Sequence, residues 1–539
     1  MGMLKLFVVW RLLAARSRRR QSVASLKLII AWGLLATAVC GAGAAKNESR
    51  PVNVLFLMTD QHHAGALGCA GNAVVKTPNL DRLAAGGTRF ANSFCAVPYC
   101  SPTRLALVTG RYPSSLGLGR NIEREIDHED PLRLKEPCET YLHRLAAMGY
   151  HCHQLGKWHV GDPAELTCFP EANQDEAIPR KRAGEMNRAA GASRFDDAQR
   201  PGETERIGNV WMRGPVAAAH RRMLEEKARP KQDVGVIGRS VVKPEYAYES
   251  VLADYCIELM KRHRNEPFAI TYSVSPPHAA NVVPSPFYDM YDPAQLPLPA
   301  SWTMPPKVWP GSFSARMAAI YGEAGFREYL RCYYAQVTMM DSCIGRILKA
   351  LDDLGLADRT LVIFTSDHGN MLGQHGLMEK ALPEFYDDLM RVPLLMRLPG
   401  KIPAGKTAPA WASSVDLAPT ILDYAGASPL SKAQGRSLRP FIEGAADGDR
   451  PVFGERGDLA TPGVGRMIRT RHWKLCLQPR GQKELYDLEK DADETRNLVS
   501  DSAMAPVIEK LSAQLLEHMR AIGDPAVQRF TKASVRSEP

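Results

Sequence analysis

After residue 44 the chain of 539 residues holds no stretch apolar enough to span a bilayer, which argues against a membrane-embedded body. It holds no internal repeat, so solenoid and propeller architectures are not indicated. Net charge is scarce once its position is considered. The formal +9 includes Lys5, Arg11, Arg16, Arg18, Arg19, Arg20 and Lys27, all within residues 1–44 and unmatched there by any acid. Removing those seven leaves about +2 for the remainder, and a nucleic-acid partner gets no support. Eleven cysteines are present, yet setting aside Cys40 and Cys100 leaves nine, an odd number that excludes a complete pairing scheme.

What is present starts with a leader. A basic region through Lys27, an apolar run from Leu28 to Cys40 and the small residues Ala42-Gly43-Ala44 read as a cleaved export signal over residues 1–44. The mature protein is then expected in the periplasm or outside the cell, with no stable membrane partner. A permanent anchor is the other reading, kept open by the mostly apolar stretch from Met3 to Ala15. Arg18-Arg19 point weakly to twin-arginine export. The remaining length suffices for one large α/β domain with a smaller companion.

The stretch Cys100-Ser101-Pro102-Thr103-Arg104, followed by apolar Leu105 to Val108 and Thr109-Gly110-Arg111, reads as a helix. Ser101 suits the N-cap, Pro102 the first helical position and Gly110 the end. Cys100 then sits at the positive end of the helix dipole, where backbone N–H groups favour an anion. Four candidate strands stop at polar clusters. Val54 to Met58 ends at Thr59-Asp60-Gln61, and Leu361 to Thr365 ends at Ser366-Asp367-His368-Gly369. Phe268 to Val274 leads to Pro276-Pro277-His278, and His151 to Leu155 leads to Gly156-Lys157-Trp158-His159. Ligands of open α/β sheets collect outside the carboxyl ends of the strands, so the four clusters point to one shared site. Val337, Met340, Ile344, Ile347, Leu348, Leu351 and Leu354 recur at helical spacing, and Gly355 ends that run.

Cys-x-Pro-x-Arg continued by Leu-Val-Thr-Gly-Arg-Tyr-Pro, here Cys100 to Pro113, resembles the signature of the formylglycine-dependent (type I) sulfatases of the alkaline-phosphatase-like superfamily. In that family the cysteine is oxidised to an aldehyde after translation. The resemblance therefore implies formylglycine at Cys100 and a maturation enzyme as partner. The fold it implies is α/β: a large mixed, mostly parallel sheet flanked by helices over residues 50–449, with a small C-terminal α+β subdomain over 450–539. Short strands at Arg466 to Thr470, Trp473 to Leu477 and Glu484 to Leu488, then an amphipathic helix from Pro506 to Ile522, fit that subdomain. Its Glu-Leu-Tyr-Asp-Leu and Glu-Thr-x-Asn-Leu pieces are similar to Glu484 to Leu488 and Glu494 to Leu498. Residues 171–242, charged and poor in aromatics, read as an insertion, a solvated loop before a substrate lid.

The resemblance also assigns roles. Asp60, Gln61, Asp367 and His368, with Cys100, would hold one divalent ion. Calcium comes first, with manganese or zinc open because imidazole suits them better. Gln61 and His368 depart from the Asp and Asn of the animal enzymes and look more like bacterial sulfatases and phosphonate monoester hydrolases. Arg104 and the metal would activate the attacking hydroxyl, Lys380 and His278 would bind sulfate and assist the departing alkoxide, and His159 would deprotonate the second hydroxyl. Two carboxylates against one divalent ion, with Arg104, Lys157 and Lys380 adding positive charge, suit a monoanionic ester. The expected activity is hydrolysis of sulfate monoesters, of a sulfated carbohydrate first. Phosphonate monoester or phosphodiester hydrolysis, and a catalytically silent sulfate- or glycan-binding protein, are the alternatives. His62, His63, Arg120, Asn121 and Asn281 flank these motifs as candidates for the leaving group.

Overall fold

The computed structural model describes residues 50–122, 138–160, 172–225, 236–305, 312–380, 385–446, 450–457, 464–478 and 482–535, so the leader reading lies outside it. In chain order the strands are β1 (Asn53–Asp60), β2 (Thr88–Phe94), β3 (His151–Gly156), β4 (Glu203–Ile207), β5 (Val210–Arg213), β6 (Ile237–Ser240), β7 (Phe268–Pro277), β8 (Asn281–Pro284), β9 (Thr360–Ser366), β10 (Leu394–Arg397), β11 (Lys406–Ser413), β12 (Val452–Arg456), β13 (Gly465–Arg469), β14 (Trp473–Leu477) and β15 (Lys483–Asp487). The helices that matter below are α1 (Cys100–Thr109), α2 (Ala172–Ala190), α3 (Gly214–Glu225), α4 (Tyr248–Arg262), α5 (Phe313–Asp353) and α6 (Ala505–Ala521).

Every residue of β1 and β9 is buried. The period-2 alternation of a strand explains why both are continuously apolar. Leu55, Leu57, Val362 and Phe364 enter one core with Met340 and Ile344 of α5. Val54, Phe56, Met58, Leu361 and Ile363 enter a second core on the opposite face with Leu142, Leu145 and Ile421. Each such side chain contributes roughly 1.5–3 kcal/mol.

The main sheet runs β11-β2-β10-β9-β1-β7-β3. β9, β1, β7 and β3 are parallel neighbours, and β11 is parallel to β2. β10 is antiparallel to both β9 and β2, which makes the sheet mixed but mostly parallel. Register levels the carboxyl ends. Thr59 lies opposite Ser366, Asp60 opposite Pro277 and Gly156 opposite Ser273, so the residues after each strand emerge along one edge.

α5 ends at Asp353 and Gly355 takes a left-handed φ of 64°, as the spacing and the glycine predict. Within residues 171–242 the expectation of a solvated loop is corrected. α2 and α3 form there, and β4, β5 and β6 join β8 in a four-stranded sheet. Met212, Val216, Ala217 and Ala219 are fully buried in the core shared with α5. Small residues can pack closely against a long helix without the aromatic signal that a core usually gives. Arg239, also fully buried, is matched by Glu203 at 2.7 and 3.0 Å, so charge in this segment is partly internal. No disulfide forms among the described residues.

The C-terminal strands β12-β13-β14-β15 form an antiparallel sheet covered by α6. Three of them fall within a residue of the sequence expectation, as does α6. A buried charge cluster ties this sheet to the main body. Lys474 of β14, with no exposed side-chain surface, donates to Glu494 (2.6 Å) and to the carbonyl of Phe385 (2.9 Å) and pairs with Asp387. Burial works against ionised Asp387, but Lys474 and Arg469 outweigh it and hold the carboxyl well below the usual range. Replacing Lys474 by Ala leaves buried Glu494 without its cation and Asp387 with Arg469 alone, and is expected to cost about 3–5 kcal/mol, read as a lowered urea midpoint of the mature chain.

Candidate active site

Cys100 is the first residue of α1, and every residue of that helix is buried. The helix starts earlier than the proline and serine suggest. Tyr99, extended at φ −139° and ψ 148°, is the N-cap and gives no side-chain cap. Ser101 is not the cap because its groups are engaged with the following loop. Its N–H donates to Asn121 Oδ1 (3.1 Å), and its Oγ accepts from the N–H of Ile122 (3.1 Å). Gly110 ends the helix with φ 66°, as expected.

Arg104, one turn after Cys100, faces the strand ends. Its Nε donates to Asp367 Oδ2 (2.9 Å) and its Nη2 to Asp60 Oδ2 (3.0 Å). Its Nη1 donates to the Lys157 carbonyl (2.7 Å) and to Ser273 Oγ (2.9 Å). The guanidinium thus holds the two carboxylates, and its charge is matched by them. Lys157 Nζ lies 2.6 Å from Asp60 Oδ2. Gly156, with φ 79°, lets the turn before Lys157 close on β7, since a Cβ there would meet the Ser273 carbonyl at 2.1 Å.

Cys100 Sγ is 3.3 Å from His368 Nε2, 3.6 Å from Lys380 Nζ and 3.8 Å from Asp60 Oδ1. Lys380 also donates to His278 Nε2 (2.9 Å), while His278 Nδ1 donates to the Ala279 carbonyl (2.8 Å). Burial and then Lys380 push His278 down to about 4, so it is a neutral acceptor at neutral pH. Burial and Asp60 oppose a thiolate at Cys100, but Lys157, Lys380 and His368 outweigh them and hold the thiol well below its ordinary value. The two acids split as neighbouring carboxylates must. Burial raises Asp367 with help from Asp60, whereas Lys157, His278 and Arg104 overcome burial and hold Asp60 low.

Ligand atoms of Asp60, Cys100, Asp367 and His368 all lie within 4.8 Å of one another. His368 Nδ1 donates to the Gly369 carbonyl (2.9 Å), which aims Nε2 at the centre, where it can ligate an ion. Gln61 adds an independent sign that a cation fits. Its Nε2 donates to Glu379 Oε2 (2.5 Å), and its Oε1 is buried without a donor among the described residues. A buried carbonyl oxygen left bare is costly unless a cation faces it. Gln61, His159 and Glu379 have φ of 61°, 60° and 59°, a strained left-handed backbone concentrated at this site.

Most of the sequence-selected residues converge here. His159 is held by Nε2 to the Ile122 carbonyl (3.0 Å), with no bond to Cys100 among those seen, and its Nδ1 is buried without a partner among the described residues. His62 is buried between Thr59 Oγ1 and the Ala66 carbonyl, both at 3.1 Å, and Asn281 bonds the Pro277 carbonyl and Gln336. Asn121 holds α1, and His63 pairs with Asp388 at 2.9 Å. These four serve the scaffold here, and Arg120 is half-buried. Sequence reasoning missed Glu379, whose only signal is its place before Lys380. It also missed Tyr333, which donates to the Gln61 carbonyl (2.7 Å) from the middle of α5.

The Sulfatase family matches residues 52–427, and the C-terminal family of N-sulphoglucosamine sulphohydrolase matches residues 373–521. An N-acetylglucosamine-6-O-sulfatase of Bacteroides thetaiotaomicron is 27% identical over 533 residues, covering 91% of this chain and 90% of that protein. A phosphonate monoester hydrolase of Agrobacterium radiobacter shares the fold with TM-score 0.69 and 24% identity, over 88% of this chain and 96% of its own. A protein solved with its substrate D-glucosamine-2-N,6-O-disulfate has TM-score 0.65 and 23% identity, over 88% of this chain and 99% of its own. With the family spanning most of its length and the motif residues gathered at one strand-end site, this chain belongs to the sulfatase family and is a sulfuric ester hydrolase.

Proposed function

We propose that this enzyme is exported and removes sulfate from a sulfated carbohydrate, using formylglycine made from Cys100 and one divalent ion held by Asp60, Gln61, Asp367 and His368. The observation that carries the reading is Cys100 Sγ set between His368 Nε2 and Lys380 Nζ inside a buried two-acid cluster. The similarity to an N-acetylglucosamine-6-O-sulfatase supports the carbohydrate substrate. Among the described residues no helix is long and apolar enough to cross a membrane.

Formylglycine hydrate at position 100 would supply two hydroxyls on one carbon, one as nucleophile and one whose deprotonation lets the sulfate ester be expelled, and a metal held by Asp60, Gln61, Asp367 and His368 would supply Lewis acidity beside them. The chain's own residues do the rest. Arg104 fixes the two carboxylates. Lys157 neutralises Asp60 and borders the site. Lys380 directs its ammonium at the Cys100 position, where it binds the ester oxygens and stabilises the departing alkoxide. Neutral His278 orients that ammonium by accepting a hydrogen bond from it at Nε2. His159, tied by Nε2 to Ile122, keeps Nδ1 as its remaining nitrogen for proton transfer.

Calcium is the first choice of ion. Manganese is the second, because His368 contributes an imidazole beside oxygen donors. The same Gln61 and His368 donors keep phosphonate monoester hydrolysis as a second reading. Sulfate and phosphonate ester turnover compared on one matured sample separates the two, with sulfate turnover the faster.

Mass spectrometry of the Cys100 peptide, from cells co-expressing a maturation enzyme, is expected to show the aldehyde. A persistent thiol with full sulfatase activity would exclude that nucleophile. Cys100→Ser retains a hydroxyl but no second one to expel sulfate, so sustained turnover is lost. Lys380→Ala is expected to lower kcat by about 10²–10³-fold, as removal of a buried anion-stabilising donor does. Glu379→Ala frees the Gln61 amide, and titration with the activating ion should show affinity about 10–100-fold weaker.

A further inference from the structure

A second cluster of metal-binding side chains lies at the opposite end of β3 from Lys157. His151 and His153 open that strand, and His263 follows α4 as its C-cap. His153 Nε2 and His263 Nε2 face each other at 3.2 Å. The other nitrogen of each ring faces a carboxylate. His153 Nδ1 is 3.1 Å from both oxygens of Asp175, on α2, and His263 Nδ1 is 3.3 Å from Glu266 Oε2.

Donor and acceptor counting makes this arrangement informative. A carboxylate accepts, so each Nδ1 must carry the ring proton. Each Nε2 of a neutral ring then presents a lone pair, and the two lone pairs confront each other. A cation between them resolves the conflict, either an extra proton or a metal ion. Two imidazoles on a tetrahedral ion, with metal–nitrogen bonds of about 2.0–2.1 Å, place their nitrogens about 3.3 Å apart. The facing pair is therefore already at the separation such an ion requires. Carboxylates behind both rings are the outer partners that orient histidine ligands.

The outer side of the cluster gives a route in. His151 stacks on His263 with ring centroids 4.1 Å apart, and its Nε2 is 3.5 Å from Glu266 Oε1. His151 and Glu266 are 42% and 54% exposed, whereas His153 and Asp175 are buried. Ligand atoms of His151, His263 and Glu266 lie within 4.8 Å of one another, on the more exposed side of the facing pair.

We infer that His153 and His263 bind a zinc-class transition-metal ion through Nε2, with Asp175 and Glu266 holding their Nδ1–H groups and His151 at the open side. All-imidazole donors select zinc, nickel or copper over calcium, so calcium saturating the hydrolytic centre would leave this site free for zinc. The ion would clamp the amino end of the edge strand β3 to the carboxyl end of α4 and to α2. Its role is structural, at the end of β3 remote from the Lys157 turn.

The test uses the full mature chain with its hydrolytic centre saturated with calcium, titrated with zinc chloride. The wild type is expected to retain one zinc equivalent, and His263→Ala and His153→Ala to lose it while sulfate-ester turnover in calcium is kept. Asp175→Asn should weaken zinc binding about 10–100-fold. Unchanged zinc stoichiometry in both histidine variants would overturn the inference. Because a core variant can fail to fold, wild-type crystals soaked in zinc and measured at the zinc edge provide an independent check. An anomalous peak between His153 and His263 supports the site. A peak only at Asp60, Asp367 and His368, or no peak, refutes it.

Discussion

The buried guanidinium of Arg104 is the interaction on which the rest of the site depends. Asp60 and Asp367 come from adjacent parallel strands, and register brings their carboxylates to one level. Two like charges at that distance without water would repel and protonate. Arg104 bonds both at about hydrogen-bond length and reaches the Lys157 carbonyl and Ser273 as well. A buried pair of this kind adds little net stability, although removing one partner is costly. What it secures is position. Cys100 and Arg104 are four residues apart on α1, so one face of one helix presents the sulfur and the guanidinium together. The spacing in Cys-x-x-x-Arg is the pitch of that helix.

The sheet contributes the other half of the geometry. Because β9, β1, β7 and β3 are parallel and level, chain segments that start far apart in sequence all leave the same edge. Each then turns sharply. Gly156 permits the approach that brings Lys157 N to the Ser273 carbonyl (2.8 Å), and Gln61, His159 and Glu379 accept left-handed backbone. The rigid sheet behind these turns, packed on both faces, is what keeps such strained residues in place.

The parts of this arrangement readable from sequence are those with a short-range signature. Continuous apolar runs that stop at polar clusters locate β1, β7 and β9. Helical spacing closed by Gly355 locates the end of α5. Asp60, Lys157, His278, Asp367 and His368 adjoin such strand ends and Cys100 opens a helix, but the roles given to them, and the choice of Lys380, which adjoins no such end, come from the family resemblance. What escapes the sequence is long-range. That Ser101 tethers a loop instead of capping α1 depends on Asn121 and Ile122, some twenty residues on. That Glu379 holds Gln61 depends on a contact across more than three hundred residues. The folded character of residues 172–225 depends on α5, against which its alanines and valines pack, and its own composition carries no sign of that surface.

The charge distribution changes once these contacts are known. Counted from sequence, Arg104, Lys157 and Lys380 all face the substrate. In the folded chain Arg104 and Lys157 are matched to Asp60 and Asp367, so the protein neutralises its own diacid before any ion binds. A divalent ion bound there would meet paired carboxylate edges, one imidazole and one amide oxygen, and much of its charge would stay directed outward. Lys380, steered by neutral His278, stands beside Cys100 as the remaining cation. An anionic ester is thus drawn to the Cys100 position from two sides. Sulfate and phosphonate monoesters carry the same charge there and share tetrahedral geometry, so this attraction does not separate them. Their discrimination must arise from groups that contact the leaving alcohol, outside the cluster built around Arg104.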